Sequence, residues 1–218
     1  MGIGSSKLAS ALRMGHARRP DERGHARSPE GLILYEFEGC PFCRRVREAV
    51  TDLDLEITIR PCPKGGTRFR PEAFRVGGKA QFPLLVDPTL RAPLYESLDI
   101  VGHLYRTYGE REPPSWLAGR GAFATLQLAS IARLGGDGTS AKPSEPPSAP
   151  LHFMGTEGNP AARLVRERLC SLELEYLRLP LGDHDPERVW LRDTSTGTEV
   201  EGWESIVEHL NRTYAASA

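Results

Sequence analysis

The chain repeats itself, and that limits what it can fold into. Leu32 to Pro61 laid over Leu151 to Pro180, an offset of 119, gives 12 identities in 30 positions, so two copies of one unit are expected rather than one large domain. The shared residues include Glu38-Gly39 with Glu157-Gly158, Pro41 with Pro160, Arg44 with Arg163, and Val46-Arg47-Glu48 with Val165-Arg166-Glu167. Both copies continue as Leu-x-Leu-Glu. The offset then falls from 119 to 106, where seven of nine positions from Ile100 to Tyr108 match Ile206 to Tyr214, so the second copy is 13 residues shorter. Leu8-Ala9-Ser10 and Arg13 recur as Leu128-Ala129-Ser130 and Arg133, which adds a leading helix to each unit, the second over 121–134.

Periodicity fills in the unit. Leu32 to Phe37 is a short apolar run suited to a buried strand, and Pro41 to Leu53 carries a helical stripe of Val46, Val50 and Leu53. Glu56 to Arg60 alternates as a strand, 71–76 forms a short helix, and Pro83 to Val86 with Pro93 to Tyr95 forms an antiparallel pair. A last helix runs from Ser97 to Tyr108. This order predicts an α/β fold with a four-stranded mixed sheet flanked by helices in each copy, the second copy lacking the middle helix. The expected division is 1–31, helix and linker; 32–112, first domain; 113–150, helix and linker; and 151–218, second domain. Arg18 to Gly31 and Gly135 to Pro150, rich in Gly, Pro, Ser and charge, read as flexible linkers.

Composition excludes several classes of function. With 28 Lys+Arg against 29 Asp+Glu, no basic field exists to hold nucleic acid or an anionic membrane surface. No apolar run reaches the roughly 20 residues of a membrane span, and no secretory signal is apparent. The Arg-rich start would suit an organellar transit peptide, but its internal copy argues for a structural helix. A cytoplasmic location is expected, and Met1-Gly2 with Ser6 makes only a weak myristoylation pattern.

The chemistry is concentrated in the first copy. Cys40-Pro41-Phe42-Cys43 falls where the first strand passes to the first helix, with Cys40 at the N-cap and Pro41 at the favoured N1 position. Unpaired N–H groups and the helix dipole stabilise a thiolate there, and Arg44 and Arg45 add positive charge. Cys40 is then the nucleophile and Cys43, one turn on, the resolving thiol. No second Cys/His pair at ligand spacing follows, so a zinc site is not expected. Cys62, at the end of the second strand, is either a third redox cysteine or a thiol buried under the loop. Lys64, Arg68 and Arg70 are either ligands for a carboxylate or solvated. Cys170 reads as core, and His103 with His209 as helix-surface residues.

With Cys40 to Cys43, Phe82-Pro83 opening the third strand and Glu96-Ser97 opening the last helix, the first copy resembles a glutaredoxin or glutathione-transferase N-terminal domain, of thioredoxin-like fold. The tandem arrangement, with Arg60-Pro61-Cys62-Pro63-Lys64-Gly65, is similar to a family of double glutathione-transferase-N-terminal-like proteins. The resemblance implies a cis peptide bond before Pro83 and a Phe82 backbone that bonds the cysteinyl part of glutathione. It implies that Glu96 and Ser97 receive the γ-glutamyl end, with Pro41 and Phe42 lining the site and Arg44, Cys62 and Lys64 as auxiliary residues. Ser97 as a plain N-cap is the competing reading. In the second copy Cys40, Cys43 and Pro83 align with Asn159, Ala162 and Val189, while Glu204-Ser205 matches Glu96-Ser97 only after a two-residue deletion.

The expected function is that of a glutathione-dependent thiol-disulfide oxidoreductase acting on protein or small-molecule disulfides. Two alternatives stand beside it. One is a carrier in which Cys40 from two chains and two glutathiones hold a [2Fe–2S] cluster. The other is a glutathione-dependent isomerase or transferase on a small lipophilic substrate. The second copy is expected to be a structural or partner-binding domain.

Overall fold

The computed structural model describes residues 3–11, 16–17, 19–20, 30–119 and 138–216; the helix expected over 121–134 and most of the first linker lie outside the described residues. The elements are α1 (Ile3–Ala11), β1 (Ile33–Glu36), α2 (Pro41–Asp52), β2 (Ile57–Pro61), α3 (Arg70–Gly77), β3 (Leu84–Val86), α4 (Ser97–Tyr108) and α5 (Ser115–Ala118). They continue as β4 (Leu151–Met154), α6 (Pro160–Ser171), β5 (Tyr176–Arg178), β6 (Trp190–Asp193), β7 (Thr198–Glu201) and α7 (Trp203–Tyr214). The mixed α/β architecture is as expected and consistent with a thioredoxin-like fold. The first half departs in one detail, because Leu94 makes only a single bridge to Leu85 where a fourth strand was expected.

Seven strands form one sheet in the order β3-β1-β2-β5-β4-β6-β7. β1 and β2 are parallel, as are β4 and β5; β3 and β6 run antiparallel to their neighbours β1 and β4. The halves join through antiparallel β2 and β5, with Ile57 opposite Arg178, Thr58 opposite Leu177 and Ile59 opposite Tyr176. Thr58 and Leu177 are the same repeat position, so this register is that of a two-fold axis passing between them. Pairing the edges in this way removes an exposed strand from each half.

The repeated Leu-x-Leu-Glu phrase encodes the exit from the first helix of each half. Leu53 and Leu172 cap α2 and α6, and the next residues, Asp54 and Glu173, both turn left-handed at φ 49°. That turn returns Leu55 and Leu174 to the core, where both are fully buried. The two acids then reach across the axis. Asp54 accepts hydrogen bonds from the backbone of Leu181 and Gly182 (2.7 and 2.8 Å), and Glu173 accepts from that of Thr67 and Arg68 (3.0 and 3.1 Å).

Charged residues that a helix normally turns to water are enclosed here. α2 buries Val46 and Val50 in the apolar core and also buries Arg44, Arg47 and Glu48 on its other side. Arg47 bonds Glu157 (2.9 Å) and Glu36, and Arg166 bonds Glu38 (3.3 Å) and Glu157 (2.9 Å). Arg47 with Glu157 and Arg166 with Glu38 are one contact repeated about the axis. Although burial opposes it, the charges of Arg166, Arg47, Arg44 and Arg163 together hold the Glu157 carboxyl below the usual carboxylate range.

His103 and His209 are not surface residues, as was expected of them. Nε2 of each lies against the carboxylate that ends the third strand of its half, 2.7 Å from Asp87 and 2.8 Å from Asp193, and Tyr108 and Tyr214 donate to the same acids at 2.7 Å. Each triad pins the last helix to the sheet, which is why His and Tyr recur six and eleven residues after a buried Ser97 or half-buried Trp203. Burial raises the Asp193 pKa but the bonds from Tyr214 and His209 lower it further, so its folded value lies below its unfolded one. Its contribution to stability is therefore present above about pH 4 and lost as the pH falls through the folded value. Asp193→Ala is expected to cost about 2–4 kcal/mol in urea denaturation at pH 7, with a smaller difference from wild type near pH 3.

The second linker is also more ordered than expected over 138–150. Its backbone bridges Lys64 at Ser140 and Ala215 at Ser144, and Lys142 and Glu145 donate to Ser171 and Tyr214. Gly138, at φ +89°, fits where a Cβ would meet Glu38 and Glu167 at 3.0 Å. A polar, proline-rich segment is immobilised here because its N–H groups find carbonyl partners.

Candidate active site

The end of β1 delivers Cys40 to the N-cap of α2, in extended backbone, with Pro41 opening the helix. Its sulfur accepts a hydrogen bond from the Cys43 N–H (3.3 Å). Cys40 keeps 5% of its surface and Cys43 none, so solvent reaches the pair through Cys40. A hydrogen bond from the Cys43 thiol, foremost, and the N–H groups of Cys43 and Phe42 hold the Cys40 thiol below its ordinary pKa, against burial and the nearby Glu36. Burial, foremost, and its bond to Cys40 push Cys43 well above its own. The two thiols are thus driven in opposite directions, Cys40 being the more acidic of the pair. In unfolded chains both would titrate near pH 8.5.

Register brings the second part of the site alongside. Tyr35 on β1 faces Leu84 on β3, which sets Phe82-Pro83 beside the chain leaving β1 for Cys40. The Phe82-Pro83 bond is cis, and the Phe82 ring meets Phe37 edge-on at 6.3 Å. Arg70 spans the other side, with its guanidinium 5.0 Å from the Phe82 ring and Nε on the carbonyls of Cys62 and Pro63.

The N-terminus of α4 supplies the third part. Glu96, at φ 63°, is the N-cap, and Ser97 is the first helical residue rather than the cap. Ser97 Oγ accepts from Arg45 on α2 at 3.4 Å, which ties the two helix starts together, and Gln81 donates to Glu96 at 2.5 Å. Phe42 and Leu98, each one residue past a helix start, are 43% and 48% exposed.

Other expected residues fall elsewhere. Arg44 does not lean on Cys40: it is bonded to Glu48 (3.2 Å) and Glu157 (3.6 Å) in the buried ionic cluster. Cys62 is fully enclosed and faces the Arg60 carbonyl at 3.5 Å, and burial pushes its thiol far up, so it is a protonated core thiol at neutral pH. Lys64 is exposed, and its backbone bonds Thr139 and Ala141. Cys170 is buried against the Gly138 carbonyl at 3.2 Å. Among the described residues no group of three His, Cys, Asp or Glu is placed to hold a metal ion. None of the described helices is long and apolar enough to cross a membrane.

The equivalent place in the second half has been rebuilt. Asn159 caps α6, its Oδ1 accepting from Ala161 and Ala162 and its Nδ2 donating to Pro186 and Glu187. Gly202, at φ 86°, caps α7 and Trp203 is its first residue, so Gly202-Trp203, not Glu204-Ser205, stands where Glu96-Ser97 stands in the first half. Sequence matching missed this because it followed side chains, whereas the conserved property is a left-handed cap.

Iodoacetamide is expected to alkylate Cys40 alone in the native protein. The rate should rise with pH to a plateau whose midpoint lies below 8.5, read by mass spectrometry across pH 4 to 10. A midpoint above 8.5 would contradict the polarised pair.

Comparison with known proteins bears on the first half. A solved delta-class glutathione transferase from Nilaparvata lugens aligns at 22% identity and a TM-score of 0.32, over 47% of this chain and 46% of its own, so under half of that transferase is represented. No curated protein matches. The stretch that carries Cys40, Phe82, Pro83, Glu96 and Ser97, residues 34–112, matches the family described as Glutathione S-transferase, N-terminal domain.

Proposed function

We propose that this protein is a glutathione-dependent thiol-disulfide oxidoreductase of glutaredoxin type. The observation that carries the reading is the Cys40 sulfur held at a helix start by Cys43, beside a cis-proline bond. The Cys40 thiolate attacks the glutathionyl sulfur of a mixed disulfide, forming Cys40–S–S–glutathione and releasing the substrate thiolate, which takes a proton from water. A second glutathione thiolate then attacks that glutathionyl sulfur, leaving as glutathione disulfide and restoring the Cys40 thiolate. Cys43 offers a slower route: it attacks the Cys40 sulfur, its proton passes to the departing glutathione, and an internal disulfide remains. The Phe82 backbone, the Ser97 hydroxyl and the N–H groups of α4 would bind glutathione, with Glu96 on its ammonium.

In this reading residues 32–112 are the catalytic domain and 151–218 a duplicated domain that has lost the chemistry. The test is intact mass after exposure to a glutathionylated peptide. One glutathione on Cys40 in the Cys43→Ser variant supports the reading, and no adduct overturns it.

A second reading, a transferase on small lipophilic electrophiles, is favoured by the exposed apolar side chains of Phe42 and Leu98 at the starts of α2 and α4. Conjugation of glutathione to an aryl halide, undiminished by Cys40→Ser, would select it.

A further inference from the structure

A cavity of about 480 Å³ lies not at Cys40 but at the matching place in the second half. Its walls come from three elements: Ile3, Lys7, Ser10 and Ala11 of α1; Asn159, Pro160 and Ala161 at the start of α6; and Trp203 at the start of α7, with Glu187 at the edge. We propose that this cavity binds a small aromatic molecule bearing one anionic or hydrogen-bonding head group, and that it is a ligand site separate from the Cys40 centre.

Three observations lead there. First, the residues that would hold glutathione are absent. The N–H groups of Ala161 and Ala162 are already taken by Asn159, and an indole occupies the position of Ser97, so an apolar ring replaces a carboxylate contact. Second, α1 is fixed as a roof rather than laid loosely across. Ser6, fully buried, donates to the Pro160 carbonyl at 2.7 Å, and Arg163 donates to the Ser6 carbonyl at 2.9 Å. Third, Ser10 lines the cavity, is more than nine-tenths buried, and its Oγ has no hydrogen-bond partner among the described residues. A buried hydroxyl left unsatisfied is costly, and a ligand head group would satisfy it. Lys7, exposed at the mouth, adds a positive charge for an anionic head, while Ile3, Pro160, Ala161 and Trp203 suit an aromatic body. The volume falls in the ordinary range of small-molecule sites.

The probe is 8-anilinonaphthalene-1-sulfonate, titrated into the full chain with and without excess glutathione. One saturable site is expected, with equal affinity in wild type and Cys40→Ser and no displacement by glutathione. Ala161→Phe, which fills the cavity, should weaken binding at least tenfold, and Ser10→Ala a few-fold. Energy transfer from indole to the bound probe should fall by more than half in Trp203→Phe, although Trp116 and Trp190 remain. Binding that survives Ala161→Phe, energy transfer that survives Trp203→Phe, or displacement by glutathione would each overturn the proposal. Loss of disulfide reductase activity would not bear on it, since these measurements use no turnover.

Discussion

Cys40→Ser is expected to reduce the turnover of a glutathionylated substrate by at least a hundredfold, whereas Cys43→Ser should change it by no more than a few-fold. A serine hydroxyl is not ionised at neutral pH, so the first variant loses the attacking group outright. The second keeps the sulfur at the helix start and the N–H bond that holds it. Cys43 is also a poor resolving group, because its burial keeps it protonated and the glutathione pool supplies a better nucleophile. The Cys43 thiol does contribute to the lowered Cys40 pKa, so its removal should raise the midpoint of the rate–pH profile rather than abolish the plateau. Steady-state kinetics from pH 5 to 9 read both effects. Equal losses in the two variants would point to an obligatory internal disulfide.

Arg47→Met should destabilise the protein by about 3–5 kcal/mol, the cost of leaving buried charge without its partner. The variant would abandon Glu36 and remove one of the arginines around Glu157. Glu36 already shows the strain of this position, since burial pushes it up to about 7 despite Arg47. Because its folded pKa is raised, Glu36 contributes stability that is present at acid pH and lost as the pH rises through about 7. The double variant Arg47→Met/Glu36→Gln should therefore recover at least 1 kcal/mol relative to additivity, and it should flatten the stability profile between pH 5 and 8. Urea denaturation across that range checks both. A loss below 1 kcal/mol in the single variant would mean that water reaches the cluster.

Local features were legible because local rules set them. The bounds of α2 and α4 and the placing of Cys40 at a cap rest on residues within a few positions of one another, whereas the cis bond at Phe82-Pro83 was expected only from the family resemblance. The ion pairs of Arg44 were not legible for a non-local reason: its partner Glu157 is 113 positions away. His103 and His209 were misjudged likewise, because a helical stripe shows which face is apolar but not which acid closes over the other. The identities between copies held a clue that periodicity alone did not. The recurring Glu38/Glu157 and Arg47/Arg166 are the residues that each copy offers to the other.

What the amino-acid order carried by itself is a mixed α/β architecture, a repeated sequence pattern and a thiol pair at one helix start, since repeats, caps and turns are encoded by neighbours in the chain. Only the folded arrangement decided that the copies share one sheet through β2 and β5 and lock buried arginines onto each other's acids. It also decided that a cavity of about 480 Å³ opens in the copy without the Cys-x-x-Cys pair. Edge pairing and charge burial depend on surfaces that exist only after each copy has formed, and no local pattern states which surfaces will meet.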